Sequence, residues 1–219
     1  MQCLLKLNYL NELNDIVTNN WDQYQEEDLA KNFLKLAKLL NQRCDARNIE
    51  AQELCFYNIK IRMEEFDNEY YHNNQCDAYE FLIDFCECID SEIAAHHSNK
   101  TQFLKDKFII QYHKHNFKTS PLQPITDFGL RIQSIKSNSM NDALTEADIT
   151  ITKLPEILLI KLNQCNEWLM DIDTPLDLSK FIDTALSDSC VYIIQSVVNY
   201  MGNRRSGHYW GYFQSIMII

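Results

Sequence analysis

The apolar positions recur with two different periods along the chain. In the first half they repeat every three or four residues, as on one face of a helix. This pattern predicts helices in Leu4–Val17, over Glu26–Leu40, and from Asn74, as the N-cap, to about Ala95. The pattern of Ala51–Phe66 is mixed. It is compatible with a shorter helix followed by a loop, because Asp67–Gln75 is polar and rich in asparagine, and it leaves the boundaries of the helix open.

The second half contains short segments that are rich in β-branched and aromatic residues and separated by turn residues, which is typical of strands. These segments are Phe108–Tyr112, Phe128–Gln133, Asp148–Thr152, Ile157–Leu162, Val191–Tyr200 and Tyr209–Ile218. Helices followed by strands favour an α+β fold. We expect a single domain over residues 1–219, with a helical part over about 1–105 and a sheet part over about 106–219.

Composition narrows the class of protein. The 219 residues are 46% hydrophobic, which suffices for one domain with a core. The net charge of −11 argues against nucleic acid as a partner and favours a basic protein surface. The longest apolar stretches are too short to cross a membrane, and the first residues lack the features of a signal peptide. The eight cysteines show no disulfide framework, so we expect an intracellular protein, cytoplasmic or nuclear.

Two segments carry residues suited to chemistry. Gly207-His208-Tyr209 stands at the head of an aromatic strand, where a histidine can act as a base and a glycine permits close backbone approach. A lone histidine at a strand end is more often an ordinary residue. The polar residues of Gln75–Glu80 open a predicted helix, where they can face a partner or simply cap the helix.

Taken together, segments in a fixed order resemble the ubiquitin-specific proteases, which are papain-like cysteine deubiquitinases. Gln75–Leu82 resembles that family's Gln-Gln-Asp-Ala-His-Glu-Phe-Leu helix start, and Leu154–Leu162 resembles its Leu-Pro-x-x-Leu-x-Ile-x-Leu strand. Gly207-His208-Tyr209, followed by Gly211-Tyr212, resembles its Gly-His-Tyr-x-Ala-Tyr segment. Phe117–Ile132 and Leu176–Phe181 are similar to segments that lie between these motifs.

The resemblance implies a papain-like cysteine protease fold with an N-terminal helical part, a C-terminal antiparallel sheet and a reduced finger region. It also implies thiol-dependent hydrolysis of the bond that follows the C-terminal glycine of ubiquitin, without a cofactor. His208 would be the general base, and the residues that bind the ubiquitin tail would be Gln75, Asp77, Glu80, Gly207 and Tyr209. The acidic net charge suits the basic, arginine-containing tail of ubiquitin.

This chain departs from the family pattern in the segment that carries the family's catalytic cysteine. The family's box, Asn-x-x-Cys-Tyr-x-Asn-x-x-Leu-Gln, precedes a segment similar to Gln2–Leu5, which places the nucleophile upstream of Met1. In an alternative register Cys3 is the nucleophile, but Lys6 then replaces the box asparagine. We therefore interpret Cys3 as a helix-core residue and keep it as the alternative nucleophile.

Two further departures concern the third catalytic residue and the zinc site. No Asp or Asn follows Asn203, so the residue that would orient His208 is missing from this chain. Where the family has paired cysteines, this chain has Tyr112 and His115 in one half-site and no cysteine in the other, so we expect no metal. Cys86 and Cys88 are two residues apart on a helix and are predicted to pack rather than bind metal.

Two hypotheses remain open at this point, beside that of an interaction domain that does not bind ubiquitin. One is a deubiquitinase whose given chain is incomplete. The alternative is a catalytically inactive pseudoenzyme that binds ubiquitin or another protein through the surface of Asp77, Glu80 and Tyr209.

Overall fold

The computed structural model of the chain describes residues 9–40, 42, 46–67, 70, 76–97, 102–115, 124–133, 140–163, 175–183, 190–203 and 206–213. The chain divides into two units. The first contains Met1–Leu104 together with Gln195–Ile219, and the second contains Lys105–Ile194. The predicted single domain with a boundary near residue 105 stays a prediction.

The described helices are α1 Tyr9–Thr18, α2 Leu29–Leu40, α3 Ala46–Phe66, α4 Ala78–His96, α5 Lys105–Phe108 and α6 Met140–Ala147. Short 3₁₀ turns lie at Trp21–Gln23 and Ser179–Phe181. The described strands are β1 Ile109–Lys114, β2 Ile125–Phe128, β3 Leu130–Gln133, β4 Ile149–Lys153, β5 Ile160–Asn163, β6 Leu176–Asp177, β7 Val191–Tyr192, β8 Ser196–Asn203 and β9 Ser206–Phe213.

Helix α2 confirms the periodic pattern, although it begins three residues later than predicted. Leu29, Phe33 and Leu36 are fully buried, and the Phe33 ring meets Phe85 of α4 edge-on with 5.1 Å between ring centroids. Such aromatic pairs contribute about 0.5–1.5 kcal/mol beyond the area that they bury. The first unit therefore has its core between these helices.

Helix α3, whose boundaries the sequence pattern leaves open, has 21 residues and ends at Phe66, before the polar segment that was expected to form a loop. The stretch contains neither Gly nor Pro, so nothing in its sequence interrupts the backbone hydrogen bonds. Cys55, Ile59 and Met63 form its buried side. Its pattern looked mixed because several large apolar side chains also lie on the exposed side.

Helix α4 is capped by Asp77, which corrects the predicted N-cap Asn74. The Asp77 Oδ1 accepts hydrogen bonds from the backbone N–H of Tyr79 at 2.8 Å and of Glu80 at 3.4 Å. These are two of the donors that the first turn of a helix leaves without a partner, which explains why the helix begins at Ala78. Asn74 lies outside the described residues.

A buried carboxylate connects three helices of the first unit. Glu92 of α4 accepts hydrogen bonds from the backbone N–H of Leu29 and of Ala30, both at 2.9 Å, and from the Nε of Arg62 at 3.0 Å. It thereby caps the N-terminus of α2 and pairs with α3. Burial raises the pKa of Glu92, and the three donors act in the opposite direction.

The second unit is built from small sheets. Strands β2, β1 and β4 form an antiparallel sheet, β6 pairs with β7 in the same manner, and β3 pairs with β5 in parallel. Between β2 and β3, Gly129 has φ +83°, and an added Cβ would overlap the carbonyl of Leu159. Helix α6, which the sequence pattern did not predict, adds buried Ala143 and Leu144 to the core of this unit.

The fold is α+β, as predicted. Strands β1, β4 and β5 lie near their predicted positions, the segment Val191–Tyr200 divides into β7 and β8, and the segment Phe128–Gln133 divides at Gly129. The sequence pattern did not predict β6 and predicted only the last residue of β2. Strand β9 begins three residues before the predicted Tyr209, and residues 214–218 of that predicted strand lie outside the described residues. Within the described ranges, no helix combines the length and the hydropathy that crossing a membrane requires.

Candidate functional site

The N-terminus of α4 is one side of the candidate site. Asp77 holds the first turn through its carboxylate, Tyr79 is buried, and Glu80 points to solvent. Cys76, just before the helix, is partly exposed. Gln75 lies outside the described residues. This end of the helix therefore presents backbone N–H groups and one exposed carboxylate in a fixed geometry.

The hairpin of β8 and β9 is the other side. Its register pairs Gly202 with Gly207, Met201 with His208, and Tyr200 with Tyr209. Because side chains alternate between the two faces of a strand, Tyr209 and His208 lie on opposite faces. The paired arrangement fixes which side chains share a face with each of them.

Tyr209 joins the hairpin to the helix. The backbone N–H of Ala78 donates a hydrogen bond to the Tyr209 phenol, and Asp77 and Cys76 lie close enough to influence its ionisation. Burial raises the pKa of Tyr209, Asp77 raises it further, and the Ala78 N–H lowers it. The two motifs, from distant parts of the sequence, therefore meet at this phenol within the first unit.

Gly207 leaves room for an aromatic ring in this hairpin. A Cβ at this position would overlap the ring of Tyr200, which also packs against the Tyr209 ring with 4.7 Å between centroids. An aromatic side chain thus covers the glycine and orients Tyr209 at the same time. Sequence reasoning missed Tyr200, although pairing the two strands across the intervening Gly-Asn-Arg-Arg-Ser segment would have placed it opposite Tyr209.

His208 lies on the exposed face of the hairpin. Its strand neighbour Met201 is 71% exposed and Trp210, two residues further on, is 51% exposed. The imidazole makes no hydrogen bond or ion pair with another described residue. Its position suits a base that acts on a group brought from outside the hairpin.

Comparison with known proteins settles the family. The family model described as ubiquitin carboxyl-terminal hydrolase matches residues 1–216. The chain belongs to this family. The resemblance of its motifs to those of ubiquitin-specific proteases is thereby confirmed. Among curated proteins, no sequence matches this chain.

Solved structures show the same fold for this hydrolase-family chain. It superposes on a Ubp8 variant of the SAGA DUB module bound to monoubiquitin with a TM-score of 0.76 at 14% identity, over 97% of this chain and 57% of that one. A second Ubp8 variant, in a SAGA DUB module with a shortened Sgf11, superposes with a TM-score of 0.73 at 15% sequence identity, and the matched region again covers 97% of this chain and 57% of that one. The yeast module with a mutant Sgf73 gives a TM-score of 0.63 at 13% sequence identity, over 97% of this chain and 56% of that one.

At these low sequence identities the structural matches show a shared fold. The hydrolase-family chain spans little more than half of each matched chain. The papain-like architecture of the ubiquitin-specific protease type is the one predicted from the motifs.

The cysteines of this hydrolase-family chain differ in their surroundings. Cys86 and Cys88 are buried in α4, as predicted, and burial raises the pKa of Cys88 to about 12. Burial also raises the pKa of Cys55. Neither Cys55 nor Cys88 is therefore suited to form a thiolate at neutral pH. Cys3, the alternative nucleophile, lies outside the described residues, and its pairing with His208 stays a prediction.

Two histidines lie at the end of a strand, in the segment where the family has one of its cysteine pairs. His113 belongs to β1, and His115, just after it, places its Nε2 2.6 Å from the Thr150 hydroxyl. Among the residues that the structure describes, no three His, Cys, Asp or Glu side chains form a metal-binding group.

Proposed function

We propose that this chain is a ubiquitin-binding domain of the ubiquitin-specific protease type. In this proposal, the α4 N-terminus and the β8–β9 hairpin receive the C-terminal tail of ubiquitin. The observation that carries the proposal is the contact between the Tyr209 phenol and the Ala78 N–H, because it brings the helix motif and the histidine motif together. The similarity to Ubp8 in structures that contain ubiquitin supports the same partner.

The carboxylates at the helix start have different roles in this proposal. Asp77 orients the first turn, since its Oδ1 is engaged by the backbone N–H of Tyr79 and of Glu80. Glu80 is exposed and is the carboxylate that would meet an arginine of the tail, where a charge-assisted hydrogen bond can form. Tyr209 and Gly207 would line the path of the terminal glycines.

Catalysis would need a thiolate within reach of His208. In the family reaction the thiolate attacks the carbonyl carbon of the terminal glycine, the bond from that carbon to the amine nitrogen breaks, and the protonated imidazole gives its proton to the leaving amine. Water then hydrolyses the thioester with the imidazole as base, which regenerates the thiol. His208 is the residue of this chain proposed for both proton transfers.

The second candidate function is binding without hydrolysis. It is favoured by the exposed His208, which has no described hydrogen-bond partner to orient it, and by the burial of Cys55, Cys86 and Cys88. Loss of the nucleophile alone lowers turnover by about 10⁶ in a triad protease. A chain without that thiol would therefore bind ubiquitin and release it unchanged.

The partner, the cofactor requirement and the location are also proposed from the protein family and the composition. The partner is ubiquitin or a ubiquitinated protein, the net charge of −11 disfavours nucleic acid, and no cofactor or membrane is required. An intracellular location, cytoplasmic or nuclear, agrees with the absence of a disulfide framework in the sequence.

Titration with ubiquitin tests the binding surface. Glu80→Lys should weaken ubiquitin binding about tenfold, which is about 1.4 kcal/mol, by placing a like charge against the arginine. Glu146→Lys on α6 makes the same charge change at another exposed carboxylate and should leave the dissociation constant unchanged. Equal affinities for wild type and Glu80→Lys would contradict the proposed surface.

Hydrolysis of a fluorogenic ubiquitin C-terminal substrate separates the two candidate functions. If the chain is an enzyme, turnover disappears in His208→Ala while ubiquitin binding persists. Absence of turnover in the wild type, together with intact binding, selects the binding protein. Turnover that survives in His208→Ala would remove His208 from the mechanism, and turnover lost in Cys3→Ala would assign the nucleophile to Cys3.

A further inference from the structure

Helix α3 exposes an apolar surface that the proposed ubiquitin site does not use. Leu54 and Tyr57 are 60% and 61% exposed, and Ile49 and Phe56 are also exposed. Ile49, Phe56 and Tyr57 are spaced i, i+7 and i+8, so they lie along one side of the helix, with Leu54 beside them. We call these four residues, together with Glu50 and Glu53, the α3 surface.

The opposite side of α3 is fully engaged within the first unit. Cys55 and Ile59 are buried, the Asn58 amide donates to the Asn32 Oδ1 of α2 at 3.0 Å, and Arg62 pairs with Glu92 of α4. The helix therefore packs on α2 and α4 with one face, and rotation cannot bury the other. The apolar residues of the α3 surface are fixed facing outward.

The size of this surface points to a single docked element. About half of each of four large side chains is accessible, which amounts to several hundred Å², the scale at which apolar patches mark interaction sites. A stable interface between two copies of a chain buries about 800 Å² on each partner. The α3 surface is too small for that and matches the footprint of one amphipathic helix.

The charges on the surface indicate the chemistry of the partner. Glu50 and Glu53 are exposed, lie one turn apart, and make no ion pair with a described residue. Like charges at this spacing repel each other. Arg47 lies at the beginning of the helix, and Lys60 is paired with Glu64 at 3.3 Å, so neither cation stands between the two carboxylates along the helix. A cation from outside would relieve the repulsion.

We propose that the α3 surface docks an amphipathic helix of a partner protein, with its apolar side on Leu54, Phe56 and Tyr57 and a Lys or Arg between Glu50 and Glu53. The interaction is independent of ubiquitin binding. It would bring this domain to a second protein while the α4–hairpin site stays accessible for its own partner.

Fluorescence anisotropy with designed peptides tests this proposal. The probe is a labelled amphipathic helical peptide of about five turns with a leucine face flanked by lysines, and its counterpart has glutamates in place of the lysines. The whole chain should bind the lysine peptide at least about tenfold more tightly than the glutamate peptide. Leu54→Ser/Tyr57→Ser should weaken that binding about tenfold or more.

Charge reversal distinguishes a specific site from general attraction to an acidic protein. Glu50→Lys/Glu53→Lys should weaken binding of the lysine peptide about tenfold, whereas Glu27→Lys/Glu146→Lys, with the same change in net charge, should leave it within about twofold of wild type. Circular dichroism should show unchanged helix content in each variant, because all substituted side chains are exposed.

Two outcomes would overturn the proposal. One is equal weakening by the two charge-reversed variants, or wild-type binding by the Leu54→Ser/Tyr57→Ser variant, since the α3 surface would then not be the binding site. The other is a dimer in sedimentation velocity that Leu54→Ser/Tyr57→Ser dissociates, because a second copy would then be the occupant.

Discussion

Glu92 and His208 both belong to the first unit, but their surroundings are opposite. Glu92 is 5% exposed and accepts three hydrogen bonds that fix the start of α2 and the position of α3. His208 is exposed and stands between Met201 and Trp210, which are exposed as well. The helical core uses its polar group for stability, whereas the hairpin leaves the His208 imidazole accessible.

This difference shows where the unit can tolerate change. A buried polar group is costly unless all its hydrogen bonds are made, so the region of Glu92 has little freedom. On the exposed face of the hairpin, the side chains of Met201, His208 and Trp210 are accessible and available for a partner. Substitutions in the two regions should therefore separate stability from binding.

The largest effect is expected from Glu92→Ala. It removes the buried partner of Arg62 and the acceptor of the buried N–H groups of Leu29 and Ala30, and each buried donor left without an acceptor costs about 1–3 kcal/mol. Urea unfolding followed by circular dichroism should show this loss. Glu65→Ala removes the other, exposed partner of Arg62 and should cost at most about 1 kcal/mol. Equal losses in the two variants would show that Glu92 does not organise the core.

A smaller effect is expected from Gly207→Ala. The added methyl group would overlap the Tyr200 ring, and overpacking of this kind costs about 1–3 kcal/mol. Ubiquitin affinity should fall with it, because Tyr200 packs against Tyr209. In a Tyr200→Ala background the same substitution should cost almost nothing, and a full cost there would rule out the ring as the cause.

Met201→Ser should change the free energy of unfolding by no more than about 0.5 kcal/mol, since this side chain is 71% exposed and substitutions of exposed residues are usually near neutral. Thermal unfolding of the variant beside Glu92→Ala measures the contrast directly. A loss comparable to that of Gly207→Ala would mean that the outer face of the hairpin is part of the folding core.

The sequence anticipated the regions in which one physical rule dominates. Helices α2 and α4 were predicted because their apolar residues share one face, and the family motifs identified the helix start and the histidine strand. The boundaries of helix α3 could not be predicted because its outward face carries Leu54 and Tyr57, which hide the helical period. The cap at Asp77, rather than Asn74, depends on which carboxylate reaches the backbone donors of Tyr79 and Glu80.

The pattern of apolar positions could not predict contacts between distant segments. The bond from the Ala78 N–H to Tyr209, and the capping of α2 by Glu92, join residues far apart in the sequence. Periodicity describes only neighbours along one element, so it carries no information about such pairs. The resemblance placed Asp77 and Tyr209 in one site, but it did not indicate Tyr200, which has no counterpart in the motifs.

The smallest effect concerns Glu26, an exposed carboxylate that contrasts with Glu92. Hydrogen bonds from Lys31 and Lys35 lower the pKa of Glu26 to about 2 from its ordinary value of 4.5. Because the folded state has the lower pKa, the unfolded state takes up the proton first as the pH falls. The stabilising contribution is therefore present above about pH 4.5 and is lost as the pH falls towards 2.

Glu26→Gln should unfold with a flatter pH dependence in that window, measured by urea unfolding at several pH values. Glu27→Gln, at the neighbouring exposed carboxylate, should retain the wild-type slope, and a parallel decline in all three proteins would show that the two lysines do not hold Glu26 in solution.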